Sequence, residues 1–178
     1  MTLLSTRRIY SGRIVSLDVD TVQFPNGNVG ELEMLRHPGA SAVLPFLDPL
    51  DDPDPRVLLI RQYRHATGDF LWEIPAGRRD GDEAPEATAR RELREETGYQ
   101  ASHFERLTSI WTTPGFTDEV IHLFLASGLT PGASALEADE VLDLHPTRWS
   151  QVLEMVQSGT ITDTKSLNAI LFVQAFKR

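Results

Sequence analysis

The chain has 178 residues, with a hydrophobic fraction of 40% and a charged fraction of 24%, which are typical of one soluble globular domain. Its net charge of −9 repels nucleic-acid phosphate, so nucleic-acid binding is not expected as its main role. It has no cysteine, no apolar run long enough to cross a bilayer and no signal peptide, so we expect a cytoplasmic location and no membrane partner.

The first third of the chain is predicted to form strands. Residues 7–36 read as short β segments, and the Asn26-Gly27 pair between them predicts a hairpin. Residues 41–47 are apolar and β-like, and residues 48–55 form a loop rich in proline and aspartate. Residues 56–64 predict a buried strand that ends in a basic tip.

The remaining elements mix strands and helices without regular alternation. Residues 85–97 predict a helix, because Pro85 suits a first turn and Gly98 suits the position after the last turn. Strands are predicted within residues 69–77 (followed by a loop), 103–113, 119–127 and 141–149, and helices at 149–158 and 164–177. The fold class predicted by this order is α+β.

The predicted helix carries three glutamates that share one face. Glu92 lies three residues before Glu95 and four before Glu96, which is the spacing of neighbours on a helix. Oxygen ligands of this kind suit magnesium, and cations would let an acidic protein hold a phosphate. The alternative is a solvated charged face, in which the glutamates pair with the interleaved Arg90, Arg91 and Arg94.

The wider spacing favours the metal site. The stretch 77–99 fits the pattern G-x5-E-x7-R-E-U-x-E-E-x-G-U, in which U is a bulky aliphatic residue, and a chance match is on the order of one in a million. Tyr99 departs from the last aliphatic position, where we expect only a packing difference. The seven fixed positions are Gly77, Glu83, Arg91, Glu92, Glu95, Glu96 and Gly98. The stretch resembles the Nudix box.

The resemblance implies a fold and a metal site. The Nudix fold is an α/β/α sandwich with a mixed β-sheet, here with an additional N-terminal antiparallel β segment. The implied ligands of Mg²⁺ (or Mn²⁺) are Glu92 and Glu96 first, then Glu95, with the backbone carbonyl of Ala76. The structural residues of the motif are Gly77, which permits close backbone approach, Arg91, which can pair with Glu83 or Glu95, and Gly98.

Three further features resemble the ADP-ribose pyrophosphatase branch of that family. They are the segment 72–77 that leads into the box, Pro114 at 15 residues after Tyr99, and the loop Pro-Gly-Phe-Thr-Asp-Glu at 114–119. The resemblance implies hydrolysis of ADP-ribose, or a related nucleoside diphosphate sugar, to AMP and ribose 5-phosphate. The alternatives are a Nudix pyrophosphatase for NADH or a dinucleoside polyphosphate, and a non-catalytic module that senses a nucleotide.

Four residues outside the box are candidates for substrate binding. The planar guanidinium of Arg64 suits a phosphate, although an ordinary surface arginine fits the position as well. Glu119 can accept hydrogen bonds from ribose hydroxyls or be a surface residue, and Phe116 can pack in a core or stack on a base. Arg36 is the fourth candidate.

The general base and the assembly are implied by the resemblance. The family places a catalytic glutamate in an acidic loop, where Glu140 fits best and Glu137 is the alternative, unless a metal activates the water without a base. Residues 1–38 would form a β segment that builds a homodimer, with contacts from Tyr10, Ile14 and Leu17, and residues 39–178 would form the Nudix domain.

Overall fold

A computed structural model describes residues 1–133 and 141–178. Its strands are β1 (Thr2–Ser11), β2 (Ser16–Gln23), β3 (Val29–Arg36), β4 (Ala40–Pro45), β5 (Arg56–Arg64), β6 (Asp69–Glu73), β7 (Ala76–Arg78), β8 (Tyr99–Trp111), β9 (Val120–Pro131) and β10 (Leu142–Arg148). Its helices are α1 (Pro85–Thr97), α2 (Trp149–Gln157) and α3 (Thr164–Phe176). The chain divides into two compact units.

The first unit comprises residues 1–39 and 111–120. Its antiparallel sheet has the order β1-β2-β3. The predicted hairpin joins β2 to β3, and Gly27 supplies a positive φ of 86° that a side chain would strain. In β2, alternate residues are buried, whereas every residue of β1 is exposed.

The second unit comprises residues 40–110 and 121–178, and its described residues form two sheets. One has the order β7-β4-β9-β8, with β4 parallel to β9 and antiparallel to β7. The other is antiparallel and has the order β10-β5-β6. Mixed and antiparallel sheets together with three helices confirm the predicted α+β class.

Side chains of the central strands alternate between two hydrophobic cores. Val43 on β4 and Phe124 on β9 pack with Leu93 of α1, whereas Leu44 and Leu123 belong to a larger core with β5, α2 and α3. Because successive strand residues point to opposite faces, the sheet is covered by helices on both sides. This is the predicted α/β/α sandwich.

The predicted elements occur where expected, with differences at their ends. β1 begins at Thr2 and β8 at Tyr99, four or more residues earlier than the sequence indicates. β7 lies where the sequence predicts a loop, because its pairing with β4 depends on a distant segment. Among the helices of the described residues, none is long and apolar enough to cross a membrane.

Candidate active site

Helix α1 buries carboxylates on the face that packs against the protein. It starts with Pro85 at its first turn and ends at Gly98, whose left-handed conformation (φ 74°) lets its N–H donate to the carbonyl of Arg94. Glu92 is 7% exposed and Glu96 is 2% exposed, beside apolar Ala89 and Leu93. Burying two carboxylates is costly unless positive charge or donors compensate them, and here Arg91 donates to Glu92 and the Ala76 N–H donates to Glu96.

Gly77 leaves the space that the Glu92 carboxylate occupies. A Cβ atom at Gly77 would lie 2.1 Å from Cδ and from Oε1 of Glu92. No side chain therefore fits at position 77 while Glu92 keeps its place. The glycine brings the backbone of β7 directly against a carboxylate of α1.

Glu96 meets the residue before that glycine. Its Oε2 accepts a hydrogen bond from the backbone N–H of Ala76 at 3.0 Å. The carboxylates of Glu92 and Glu96 thus lie against consecutive backbone positions of one short strand. The arrangement gathers two carboxylates around the Ala76–Gly77 backbone.

Arg91 ties the loop before α1 to the helix. Its guanidinium donates to both carboxylate oxygens of Glu83, at 3.2 and 3.0 Å, and to the carbonyl of Arg78 at 2.9 Å. It also donates to Glu92 at 2.6 Å and to Glu95 at 3.1 Å. The hydrogen bond to Glu83 is the main cause that raises the pKa of Arg91, and the same bond lowers the pKa of Glu83. One guanidinium therefore contacts three carboxylates of the box.

Glu95 faces arginines. Besides Arg91, it accepts a hydrogen bond from Arg94 at 3.1 Å.

Over residues 1–133 and 141–178, no three His, Cys, Asp or Glu side chains converge into a metal cluster. A magnesium site does not need three, because this ion is usually held by one or two carboxylates with water and substrate phosphate.

The donor set fits a hard divalent cation. It consists of two buried carboxylates and a backbone segment that lies so close to the Glu92 carboxylate that a side chain at position 77 would displace it. All the donors are oxygen atoms, which magnesium and manganese prefer. The assignment of Ala76, Glu92, Glu95 and Glu96 as ligands stays a prediction.

Arg64 lies in the same unit, with its guanidinium bound to a buried carboxylate. Its Nε and Nη2 atoms donate to the two oxygens of Glu73, each at 2.7 Å. Lys165 of α3 donates to the same carboxylate. The sequence does not predict a role for Glu73 or Lys165, since 92 residues separate them. The one local signal is that Lys165 is the single charged residue of α3.

The other substrate-binding candidates lie in the first unit, around the end of β3. The loop 114–119 is joined to β3 by hydrogen bonds of Leu35 with Phe116 (2.7 Å) and with Asp118 (3.3 Å). Arg36 pairs with Asp118 at 3.4 Å, with Asp18 at 3.1 Å and with Asp20. The three candidates Arg36, Phe116 and Glu119 are thereby brought together.

The side chains of this loop differ in how they are engaged. Phe116 is 50% exposed, so within this unit it is not a core residue. The Glu119 carboxylate lies 3.3 Å from Nδ1 of His37. Glu137 and Glu140, the candidates for a general base, lie outside the described residues.

Similarity to known proteins shows which family the chain belongs to. Residues 37–168 match the NUDIX domain, which is most of the chain. The chain belongs to the Nudix family. Nudix hydrolases generally need divalent cations, in agreement with the oxygen donors gathered at the box. The predicted resemblance is therefore confirmed, and the protein is a Nudix hydrolase.

Two curated relatives match nearly the whole of this Nudix hydrolase. The ADP-ribose pyrophosphatase of Bacillus subtilis (strain 168) is 36% identical over 96% of this chain and 91% of its own. The methanol dehydrogenase activator of Bacillus methanolicus is 39% identical over the same shares. A solved structure of an ADP compounds hydrolase superposes with a TM-score of 0.79, at 24% identity, over 98% of this chain and 92% of that one, which shows the common fold.

Proposed function

We propose that this Nudix hydrolase cleaves the pyrophosphate bond of ADP-ribose, or of a related nucleoside diphosphate sugar, to give AMP and ribose 5-phosphate from ADP-ribose. The observation that carries the proposal is the pair of buried carboxylates, Glu92 and Glu96, held against the Ala76–Gly77 backbone. The ADP-ribose pyrophosphatases of Bacillus subtilis and Mycobacterium tuberculosis, each 36% identical, support the choice of substrate.

The box residues would hold Mg²⁺, or Mn²⁺ in its place. Glu92, Glu96 and the carbonyl of Ala76 are the proposed ligands, and Glu95 joins them when it leaves its arginine partners. A bound divalent ion lowers the pKa of a water molecule and offsets the charge that develops on phosphate oxygens.

Arg91 is proposed to keep the box in its working geometry. It contacts Glu83, Glu92 and Glu95 and the carbonyl of Arg78, so it links the loop 78–83 to the helix. The Glu92 carboxylate, which lies against Gly77, is thereby held in place before substrate arrives. Such preorganisation avoids reorganising charged groups during the reaction.

The substrate is proposed to be held by groups outside the box. Arg64 would bind the pyrophosphate with the guanidinium edge that does not face Glu73. Arg36 is a further substrate-binding candidate, Phe116 would stack on the base, and Glu119 would accept hydrogen bonds from ribose hydroxyls. Glu140, or alternatively Glu137, would take the proton of the attacking water.

A substrate panel tests the proposal. Purified protein is incubated with ADP-ribose, NADH, a dinucleoside polyphosphate and a nucleotide sugar, each with Mg²⁺ and with a chelator, and the products are separated by chromatography. We expect AMP and ribose 5-phosphate from ADP-ribose only when the metal is present. Faster cleavage of NADH or of a dinucleoside polyphosphate would favour those substrates, and nucleotide binding without any turnover would favour a sensing module.

The protein is proposed to form a homodimer through its first unit. All of β1 is exposed, and its apolar side chains Leu3, Leu4, Ile9 and Tyr10 are 47–60% exposed. An exposed patch of this kind commonly marks an interface. Sedimentation should give the mass of a dimer, and a monomer at micromolar concentration would remove this part of the proposal.

A further inference from the structure

A buried charge cluster joins the start of α3 to the ends of β5 and β6. The carboxylate of Glu73 is 1% exposed and accepts two hydrogen bonds from Arg64 and one from Lys165. The ammonium of Lys165 also lies 3.0 Å from Asp163. Two cations and two anions thus compensate one another.

The same turn of α3 holds the segment that follows Glu73. Asp163 caps the helix and accepts hydrogen bonds from the backbone N–H (3.0 Å) and the hydroxyl (2.6 Å) of Ser166. The hydroxyl oxygen of Ser166 in turn accepts a hydrogen bond from the backbone N–H of Ile74 at 2.9 Å. Two residues further on, Ala76 donates to Glu96. The start of α3 therefore anchors the chain that leads directly into the box.

Stability alone does not explain a lysine at this place. A cation in the first turn of a helix is opposed by the positive end of the helix dipole. Lys165 is only 8% exposed, and buried ion pairs are often no more stabilising than apolar side chains of similar volume. What the cluster does supply is a fixed orientation for Arg64, because two of its donors are held by one buried carboxylate.

The fixed guanidinium lies within electrostatic reach of the box. The hydrogen bond with Glu73 is the main cause that raises the pKa of Arg64, and the charge of Glu96 contributes in the same direction. Arg64 is thus close enough to feel the charge of a proposed metal ligand, while the Glu73 carboxylate that it shares with Lys165 holds its guanidinium. A phosphate bound near Glu96 would meet an arginine that is already oriented.

We propose that Lys165 is a positioning residue of the active site: by sharing the Glu73 carboxylate, it holds Arg64 in the orientation that binds the substrate's pyrophosphate. This inference rests on the proposed function, since it assumes a diphosphate substrate. Lys165 itself contacts Glu73 and Asp163, and both of these residues lie outside the box.

Kinetics with a matched control test the inference. The chain has two lysines, and Lys177 pairs with Glu105 at the far end of the same helix, so Lys177→Met is the control for Lys165→Met. We expect Lys165→Met to raise the KM for ADP-ribose about tenfold, as for loss of a hydrogen bond to a charged group, with a smaller effect on kcat. Lys165→Arg should restore part of the loss, and Lys177→Met should behave as wild type.

A double variant shows whether Lys165 acts through Arg64. In an Arg64→Gln background, Lys165→Met should raise KM little further, because the group it positions is already gone. Independent, fully additive effects would overturn the inference, and so would a wild-type KM in a folded Lys165→Met protein. If Lys165→Met does not fold, Lys165→Gln, which keeps a donor for Glu73 but loses the charge, is measured in the same way.

A spectroscopic readout separates this inference from the proposed function. The Nε–H of Arg64 should give a sharp, slowly exchanging nitrogen-15 NMR signal in the wild type and a broadened, rapidly exchanging one in Lys165→Met. An unchanged signal would overturn the positioning role. If the wild type cleaves no nucleotide while the NMR signal changes as expected, the proposed function fails and the Glu73–Lys165 hold on Arg64 stands.

Discussion

Replacing Gly77 by alanine tests the placement of Glu92 directly. The added Cβ would lie 2.1 Å from the Glu92 carboxylate, and ordinary contact begins at 3.4 Å, so the carboxylate must retreat by about 1.3 Å, the difference between these distances. Gly77 has no positive φ, so the backbone accepts alanine. A misplacement of about 1 Å at a reacting centre costs roughly 100-fold in rate, and we expect a loss of that size in Mg²⁺-dependent hydrolysis.

The assay compares the rate of AMP release and the thermal unfolding of Gly77→Ala with those of a second alanine variant. Gly159 has a φ of 75°, and among the described residues nothing beyond its chain neighbours lies within 4 Å of where its Cβ would stand. Gly159→Ala should therefore lose about 1 kcal/mol of stability from backbone strain and keep its rate. Gly77→Ala should show the opposite pattern, with slow hydrolysis and near-normal unfolding. A Gly77→Ala protein with the wild-type rate would refute the placement of Glu92 in the site.

Three further predictions concern the charged residues of the second unit. Glu96→Gln keeps an oxygen that can accept from the Ala76 N–H but loses the negative charge, so turnover should fall more than about 100-fold. Circular dichroism should show that the fold is intact, and near-normal rates would contradict the assignment of Glu96 as a metal ligand. The lysine of Arg91→Lys cannot reach Glu83, Glu95 and the carbonyl of Arg78 together, so urea unfolding should show a free energy of unfolding lower by about 2 kcal/mol, and hydrolysis should be slower. Unchanged stability would argue against Arg91 as the link between loop and helix. Burial alone would raise the pKa of the Glu73 carboxyl, but the hydrogen bond from Arg64 and the charge of Lys165 lower this pKa below 4.5. The ionised Glu73 therefore stabilises the fold above pH 4.5, and this stabilisation is lost as the pH falls through the lowered pKa. Urea unfolding from about pH 7 to about pH 3 should show this loss in the wild type and a smaller one in Glu73→Gln, and equal pH dependence in both would count against it.

Local signals in the sequence predict much of this fold. Pro85 and Gly98 bound α1, and the Asn26-Gly27 pair marks the hairpin between β2 and β3. Both signals act over a few residues, because proline and glycine restrict the backbone where they stand. The beginning of β1 and the strand β7 depend on partners elsewhere in the chain, and no local pattern announces them.

The candidate site also has some features that the local sequence predicts and others that depend on distant parts of the chain. The spacing of the box places Glu92 and Glu96 on one helix face, which the sequence alone predicts. The close contact of the Glu92 carboxylate with Gly77 depends on the packing of β7 against α1. The hydrogen bond from Lys165 to Glu73 joins residues that are 92 positions apart. Contacts of this kind arise from tertiary packing, so the pairing was invisible in one sequence.

Direct measurement of metal binding tests the central claim, that the buried carboxylates of α1 hold a divalent cation. Mn²⁺ is titrated into the wild type and into a Glu92→Gln, Glu96→Gln double variant, and the free ion is followed by electron paramagnetic resonance. The account predicts that the wild type removes the free-ion signal and that the folded double variant leaves it largely unchanged. Equal binding by the two proteins, or no binding by the wild type in the presence of nucleotide, would contradict it.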